Sequence, residues 1–436
     1  MPSDLSQFIA QARICDTHEH LCKQPYWDND KPDILRELWE SYAASDLVVA
    51  GASPESVTKL QDSSEPDIEK RFGPVKHAWE AAQYTGYGEA LKLTARRYFG
   101  IEQIDGPSLA AAQAKLPKRW LSVDRLRIMQ EDGGLDHIQV DDFSWPCLPD
   151  SGAPEFFLYD LSWLDFCSGN IKAEALYQET GIDVKNIATL REAMHSIFAK
   201  YGPCAIAVKT QHAYNRTLAW QERSDAEAAQ ALELALIQPK RRSVEQTNCL
   251  GDWCCAQGVE LAAKHNLPFK IHTGTLAGWA QMQVDRINAG LLCPLLAKYP
   301  AARFVLMHIA YPYDDELVAI AKHYPNVWVD LCWAWSVNPS RSMQFVRHFI
   351  HGAPANKLFG FGGDSLRPRV AVGYAMQARK WLTRTLESEV NEGDLSEAHA
   401  MEIAARLLYK NQRECFDIDG ARKAIRTKLN MTMAVA

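Results

Sequence analysis

Two histidines one residue apart close an apolar run near the start of the chain, Ile14-Cys15-Asp16-Thr17-His18-Glu19-His20-Leu21. In an extended strand, side chains two positions apart project to the same face, so His18 and His20 can reach one ion while Glu19 points elsewhere. Among 13 histidines in 436 residues such a pair also arises by chance, so its meaning depends on what the rest of the chain brings to it. Other apolar runs end in the same manner. Ala205-Ile206-Ala207-Val208 ends in Lys209, Phe269-Lys270-Ile271 in His272, Phe304-Val305-Leu306-Met307 in His308, and Leu358-Phe359-Gly360-Phe361-Gly362-Gly363 in Asp364. Singly, each has a plain structural explanation. Lys209 could reach solvent from a strand end, His272 and His308 could be hydrogen-bonded core histidines, and Asp364 before Ser365 could cap a helix. Brought to one place, they are a metal-binding set.

The elements that would bring them together are readable from hydrophobic periodicity. Residues 3–13 fit a short helix, and Arg13–Thr17 a strand closed by the histidine pair. Further strands are expected at 135–141, 156–161, 203–209, 267–272, 303–308, 326–331 and 357–362. Between most of them lie helical stretches at 172–179, 188–200, 225–236, 248–265, 281–298, 313–323 and 340–351. With the first strand the count suits an α/β fold of the (β/α)8 type, because parallel strands need crossovers long enough to hold a helix. A doubly wound sheet would satisfy the same alternation. Only the closed TIM barrel, distorted here by its insertion, opens every strand's carboxyl end onto one face and so gathers the polar strand-end residues.

Residues 24–130 form a long helical insertion rich in aromatics, among them Trp39, Tyr42, Trp79, Tyr84 and Tyr87, with the spacing of a packed helical layer. Following directly on the strand that carries the histidine pair, it is placed to cover the catalytic face. Helices over 370–430 complete what reads as a single metal-dependent barrel domain spanning residues 1–436.

Composition excludes some partners. With 47 basic against 54 acidic residues, net −7, the chain offers no basic surface for nucleic acid and no polybasic membrane patch. A small-molecule substrate is the expected partner, and a homo-oligomer is compatible with everything above. The segment Met1-Pro2-Ser3-Asp4-Leu5-Ser6 lacks the regions of a signal peptide, no run of 18 apolar residues occurs, and a cytoplasmic location is expected. The 11 cysteines show no zinc-ribbon spacing and read as buried free thiols.

In these motifs the chain resembles the amidohydrolase superfamily, metal-dependent enzymes on a distorted barrel. It is most similar to the amidohydrolase-2 type and has kinship to uronate isomerase. The shared pattern is His-x-His after strand 1, lysine after strand 4, single histidines after strands 5 and 6, and aspartate after strand 8. The ending Arg406-Leu407-Leu408-Tyr409-Lys410-Asn411-Gln412-Arg413-Glu414-Cys415-Phe416 also resembles the family's closing helix. The resemblance implies that His18, His20 and Asp364 hold one ion, that His272 and His308 hold a second, and that Lys209, if carbamylated, bridges them. His212 is the spare candidate if the fourth strand ends later. Nitrogen and oxygen donors of this kind suit Zn, with Mn or Fe as alternatives, and either one ion or, favoured by the lysine, two.

The reaction this implies is metal-dependent hydrolysis of an amide, lactam, lactone or related carbonyl bond of a small molecule. The metal would activate a hydroxide and Asp364 would carry its proton to the leaving group, with His308 as a second catalytic group. On the loops of the catalytic face Tyr214, Arg216, Tyr311, Trp333 and Arg367 are the candidate substrate contacts, the arginines as clamps for a carboxylate. Two other readings stand beside this one. The first is a sugar-acid (uronate-type) isomerase or a metal-dependent decarboxylase working with a single ion. The second is a non-catalytic metal-binding barrel.

Overall fold

The structure, a computed structural model, describes the backbone of residues 3–435 and the side chains of residues 3–430. Its strands are β1 (Ile14–Glu19), β2 (Leu135–Val140), β3 (Phe157–Tyr159), β4 (Leu161–Ser162), β5 (Val208–Thr210), β6 (Phe269–His272), β7 (Phe304–Met307), β8 (Val327–Asp330) and β9 (Leu358–Phe359). Every neighbouring pair is parallel. The segments β3 and β4 are two halves of one stave broken at Asp160. The Asp160 N–H donates to the Val140 carbonyl and the Leu161 N–H to the Ala207 carbonyl, so pairing passes across the break. The described residues thus form the eight staves expected from the alternation.

Closure is made at the seam between the first and last staves. The Thr17 N–H donates to the Phe361 carbonyl at 3.2 Å, the Asp364 N–H to the His18 carbonyl at 2.8 Å and the His20 N–H to the Ser365 carbonyl at 3.0 Å. The ring is irregular where the histidine pair sits: the β1–β2 register shifts between Ile14 and Cys15 and again between Asp16 and Glu19. Such shifts bend a strand and re-aim its side chains. Staves such as Phe304-Val305-Leu306-Met307 are buried on both faces, as parallel strands enclosed by helices must be.

The outer helices follow the expected places, including Ile187–Tyr201, Asp225–Ile237, Val244–Lys264, Asp314–His323 and Pro339–Gly352. Capping boxes at Asn186 with Thr189, Ser224 with Glu227 and Ser243 with Gln246 start three of them. The expectation of one helix over 281–298 is corrected. Residues Val284–Ile287 and Ala289–Leu292 are single 3-10 turns, and only Cys293–Lys298 is α-helical. The Asn288 side chain accepts from the Gly290 N–H and so offers the backbone a competing local bond, while Pro294 can begin a helix but not continue one. The thiol expectation also needs correction: Cys22 is exposed and Cys293 half-buried, whereas the other nine are buried, and all eleven are free.

The insertion is a layer of short helices from Gln24–Asn29 to Asp124–Arg127. Its core packs Trp39 against Phe72 and edge-on against Trp79, and it encloses a buried Arg71–Asp33 ion pair. At the far end of the chain, Glu397–Ala405 gives way to a π-helical turn at Arg406–Lys410, then to Asn411–Cys415. The Asn411 Nδ2 donates to the Ala355 and Leu358 carbonyls, tying this segment to the last stave. Among the described residues no helix is long and apolar enough to cross a membrane.

Candidate metal centre

Strand ends converge on one face of the barrel. Asp364 lies among the histidines: its Oδ1 is 3.2 Å from His20 Nε2 and 3.5 Å from His18 Nε2, and its Oδ2 is 3.8 Å from His308 Nε2. The His272 and His308 rings are 4.3 Å apart, and those of His18 and His20 4.7 Å. His18, His20, Lys209, His272 and Asp364 share a cavity of about 320 Å³. Five of the six residues expected to bind metal therefore meet in one cavity, and the sixth, His308, stands beside it against His272 and Asp364.

Backbone carbonyls orient the imidazoles. His308 donates from Nδ1 to the Cys332 carbonyl at 2.9 Å, which leaves its Nε2 with a bare lone pair, and His20 donates from Nδ1 to the Asp141 carbonyl at 2.8 Å, which turns its Nε2 to Asp364 Oδ1. His272 donates from Nε2 to the Thr275 carbonyl at 3.0 Å, which leaves Nδ1 as its free nitrogen. His18 is fully buried and neither ring nitrogen has a hydrogen-bond partner; Nε2 of His308 is likewise unpartnered. Buried polar atoms are rarely left so unless something else binds them. Bare imidazole nitrogens around a carboxylate fit a divalent cation of the Zn, Mn or Fe kind.

The charges agree with this fit. Burial opposes ionisation of Asp364, yet its hydrogen bond to His20 and the nearby His308 and Lys209 hold the carboxyl far below its usual range. Burial pushes His18 and His272 well below the ordinary imidazole value and brings His308 down to about 4, so all three stay neutral near pH 7. Burial also lowers His20, but the Asp364 carboxylate outweighs it and the net shift is upward. Burial lowers the Lys209 ammonium, with Asp141 and Asp364 resisting.

Strained backbone marks the same face. Phe143, His308, Ile309, Ala310, Trp333 and Asp364 all have φ between 47° and 63°, a region costing non-glycine residues of order 1–3 kcal/mol each. The turn at Asp364 is held from below. Glu19 accepts from the Ser365 N–H, and a Cβ on Gly363 would lie 2.0 Å from Glu19 Oε1, so any side chain there would have to displace that carboxyl. Glu19, expected to be a bystander, is a fully buried support for the loop carrying Asp364.

The expected substrate contacts divide. Tyr214 lines the cavity and its hydroxyl accepts from the Ala277 N–H at 2.8 Å. Trp333 is buried behind the cavity, packed on His308, His272 and Tyr42. Tyr311 lies in a small adjoining hollow with His308 and Trp333. The two arginines are corrected. Arg216 is buried in an ion pair with Asp252 and donates to the Cys167 carbonyl, and Arg367 is held by Asp30, Glu37 and Glu40 of the insertion. Neither lines the cavity, because buried carboxylates hold both elsewhere. His212, the spare ligand, is buried against Thr210 and does not line the cavity, so Lys209 is the strand-end group.

Three neighbours of the centre were not singled out from sequence. Asp141, just after β2, groups with His18 and His20, and Cys332 with His308 and Asp364, their potential ligand atoms lying within 4.8 Å of one another. Asp141 carries the same signal as the others, a polar residue ending an apolar strand. Tyr42 comes from the insertion and donates its hydroxyl to Asp364 Oδ1 at 3.1 Å. No local pattern distinguishes it from the other aromatics of that layer.

Residues 207–418 match the family model described as amidohydrolase. Over that segment, just under half of its length, the chain is similar to the amidohydrolase family. The matched segment includes Lys209, His272, His308 and Asp364; the first stave with His18 and His20 precedes it. A stretch of 176 residues is 30% identical to protein fluG of Emericella nidulans, covering 39% of this chain and 20% of that protein. The chain therefore corresponds to about a fifth of that relative's length. Uronate isomerase from Thermotoga maritima superposes with a TM-score of 0.77 at 16% identity, over 94% of this chain and 96% of its own. A Lactobacillus casei protein provisionally described as a metal-dependent hydrolase superposes at 0.67 and 15% identity, over 96% and 99%. These superpositions bring the first stave and the insertion into the same barrel architecture as the amidohydrolase segment.

Proposed function

We propose that the chain is a metal-dependent hydrolase that cleaves an amide, lactam, lactone or related carbonyl bond of a small molecule. The observation that carries this reading is Asp364, one ionised carboxylate whose oxygens face His18 and His20 on one side and His308 on the other, on the wall of a small cavity. His18, His20 and Asp364 would hold one ion, and His272 and His308 a second, with Lys209 joining them as its carbamate. Zn is the ion that best suits the set, since an unmodified ammonium has no lone pair to donate and the remaining donors are nitrogen and carboxylate oxygen. A bound divalent ion supplies Lewis acidity, polarising a carbonyl and lowering the pKa of water from about 15.7 towards 7.

The chain's own groups then do the rest. Asp364, kept ionised, accepts a proton at its carboxylate and can return it to a leaving nitrogen or oxygen. The Tyr42 hydroxyl holds Oδ1 of that carboxylate in one orientation. Phe143, Leu164, Ala277 and Leu366 give the cavity apolar walls, while Gln211, Tyr214 and Asn215 offer neutral hydrogen-bonding groups. With both arginines turned away, Lys209 is the one lysine or arginine lining this cavity, so a substrate recognised through neutral polar groups suits it better than one recognised through a carboxylate. About 320 Å³ lies at the small end of ligand-site volumes.

A single-ion uronate-type isomerase is the second reading, favoured by the superposition of nearly the whole chain on an enzyme of that name. The test is a substrate panel of N-acyl amino acids, lactams, lactones and hexuronates, run on protein reconstituted with Zn or Mn in bicarbonate, alongside Asp364→Asn. Hydrolysis that falls at least about a hundredfold in the variant while metal stays bound supports the proposal. Turnover of hexuronates alone, or hydrolysis indifferent to Asp364→Asn with metal retained, overturns it.

A further inference from the structure

A groove lies at the opposite end of the barrel from Asp364, and basic side chains line it. Arg13 immediately precedes β1 and Gly134 immediately precedes β2, which puts the groove at the amino ends of the strands. Its other wall is the helix Pro368–Glu392, contributing Arg379, Lys380 and Arg384. The volume is about 750 Å³, and the ionisable lining is five cations (Arg13, Arg97, Arg379, Lys380, Arg384) against Glu131 and Asp132. Two of the cations are neutralised: Arg97 pairs with Asp132 at 3.2 Å, and Lys380 pairs with Glu89.

The other three have no carboxylate partner among the described residues. Arg13 donates to the Gln130 and Leu135 carbonyls, and Arg379 to the Ile9 and Gly133 carbonyls. Arg384 stacks over Trp381, 4.9 Å from the ring centre. Carbonyl oxygens fix the first two guanidinium groups in place without cancelling their charge. Burial, with Arg13 next in effect, brings Arg379 down to about 10. Like charges held together cost free energy that a bound anion would relieve.

We propose that this groove binds a small oxyanion, of the phosphate or dicarboxylate class, through Arg13, Arg379 and Arg384. Guanidinium forks match the paired oxygens of both classes, and two of the three are already oriented. The site would be a second one, independent of the metal centre and of the reaction assigned to it.

Isothermal titration calorimetry of the metal-loaded full-length protein at low ionic strength tests this, with inorganic phosphate in one arm and succinate in the other. The expected result is saturable binding of one or both, weakened about tenfold or more in the Arg13→Gln/Arg384→Gln double variant. Both substitutions fall on exposed side chains, so folding should survive them. Asp364→Asn should bind the anion as the parent does, because the groove is remote from it. Whichever anion saturates identifies the class. The proposal is overturned if neither saturates by about 10 mM, a range that corresponds to only a few kcal/mol of affinity. It is equally overturned if the double variant binds like the parent, or if Asp364→Asn abolishes binding, which would put the anion at the metal centre.

Discussion

The Tyr42 hydroxyl, carried by the helical insertion, donates to Oδ1 of Asp364 at 3.1 Å across 322 residues of sequence. The insertion therefore completes the surroundings of the carboxylate at the centre of the site. Tyr42 also packs on Trp333, ring centres 4.9 Å apart, and Trp333 in turn packs on His308.

Tyr42→Phe keeps that packing and removes only the donor. Burial and the Asp364 charge push the phenol well above its ordinary value, so it is a neutral donor at any working pH. A hydrogen bond to a charged group is worth about 1.5–3 kcal/mol, so kcat/KM should fall by about ten- to a hundredfold with the fold unchanged by circular dichroism. An unaltered kcat/KM would show that Oδ1 needs no help from the insertion.

Glu19 supports the same aspartate from the other side. Its carboxyl accepts from the Ser365 N–H and packs against Gly363, where a side chain would displace it. Glu19→Ala leaves that N–H buried without a partner and frees a turn whose Asp364 sits at φ 54°. Metal affinity, measured by competition with a chromophoric chelator, should drop about ten- to a hundredfold, the usual loss when a group orienting a ligand is removed. Glu19→Gln, which retains an acceptor oxygen, should recover most of it. A purely structural loss would instead lower stability and leave the chelator titration of the folded fraction unchanged.

Much of this arrangement could be read from sequence because it rests on two local signals, strand periodicity and the residue that ends each strand. His18, His20, Lys209, His272, His308 and Asp364 all carry the second signal. Asp141 carries it too and is found by applying the same criterion to the second strand. What periodicity could not reveal is where long side chains go. Arg216 and Arg367 follow strand ends just as a substrate clamp would, yet Asp252 in one case and Asp30, Glu37 and Glu40 in the other take their guanidinium groups. Those acids lie in elements whose packing is tertiary, as does Tyr42. Glu19 was misjudged for a related reason: strict alternation turns it away from His18 and His20, but the register shift between Asp16 and Glu19 breaks that alternation.

Acid stability should depend on Asp136, at the amino end of the barrel. The His137 Nδ1–H, 2.9 Å away, is the main cause of its fall from 3.8 to about 2, with Arg413 and Arg422 assisting. Burial lowers His137 itself, so the donor is a neutral imidazole. For a carboxyl depressed on folding, the stabilisation is complete above the unfolded value and disappears as pH falls through the folded one. The contribution of Asp136 should therefore be lost between about pH 4 and pH 2. Urea denaturation at a series of pH values should show a shallower acid limb in Asp136→Asn over that window. Parallel limbs in the two proteins would remove Asp136 from the account.

Asn411 ties the end of the chain to the stave that leads to Asp364. Both of its amide hydrogens are used, one on the Ala355 carbonyl and one on the Leu358 carbonyl, each at 2.7 Å. Asn411→Ala leaves the buried Leu358 carbonyl short of a donor at the first residue of β9 and should cost about 1–3 kcal/mol, read as a lower urea midpoint with an unchanged slope. Because β9 runs directly into Gly360–Asp364, and because Gly360 also donates to the Leu407 carbonyl of the same C-terminal segment, the loss should reach the metal centre. Metal should therefore add less stability to Asn411→Ala than to the parent at equal free metal, because the damaged site binds it more weakly. Equal increments in the two proteins would mean that the closing segment stabilises the barrel without shaping its site.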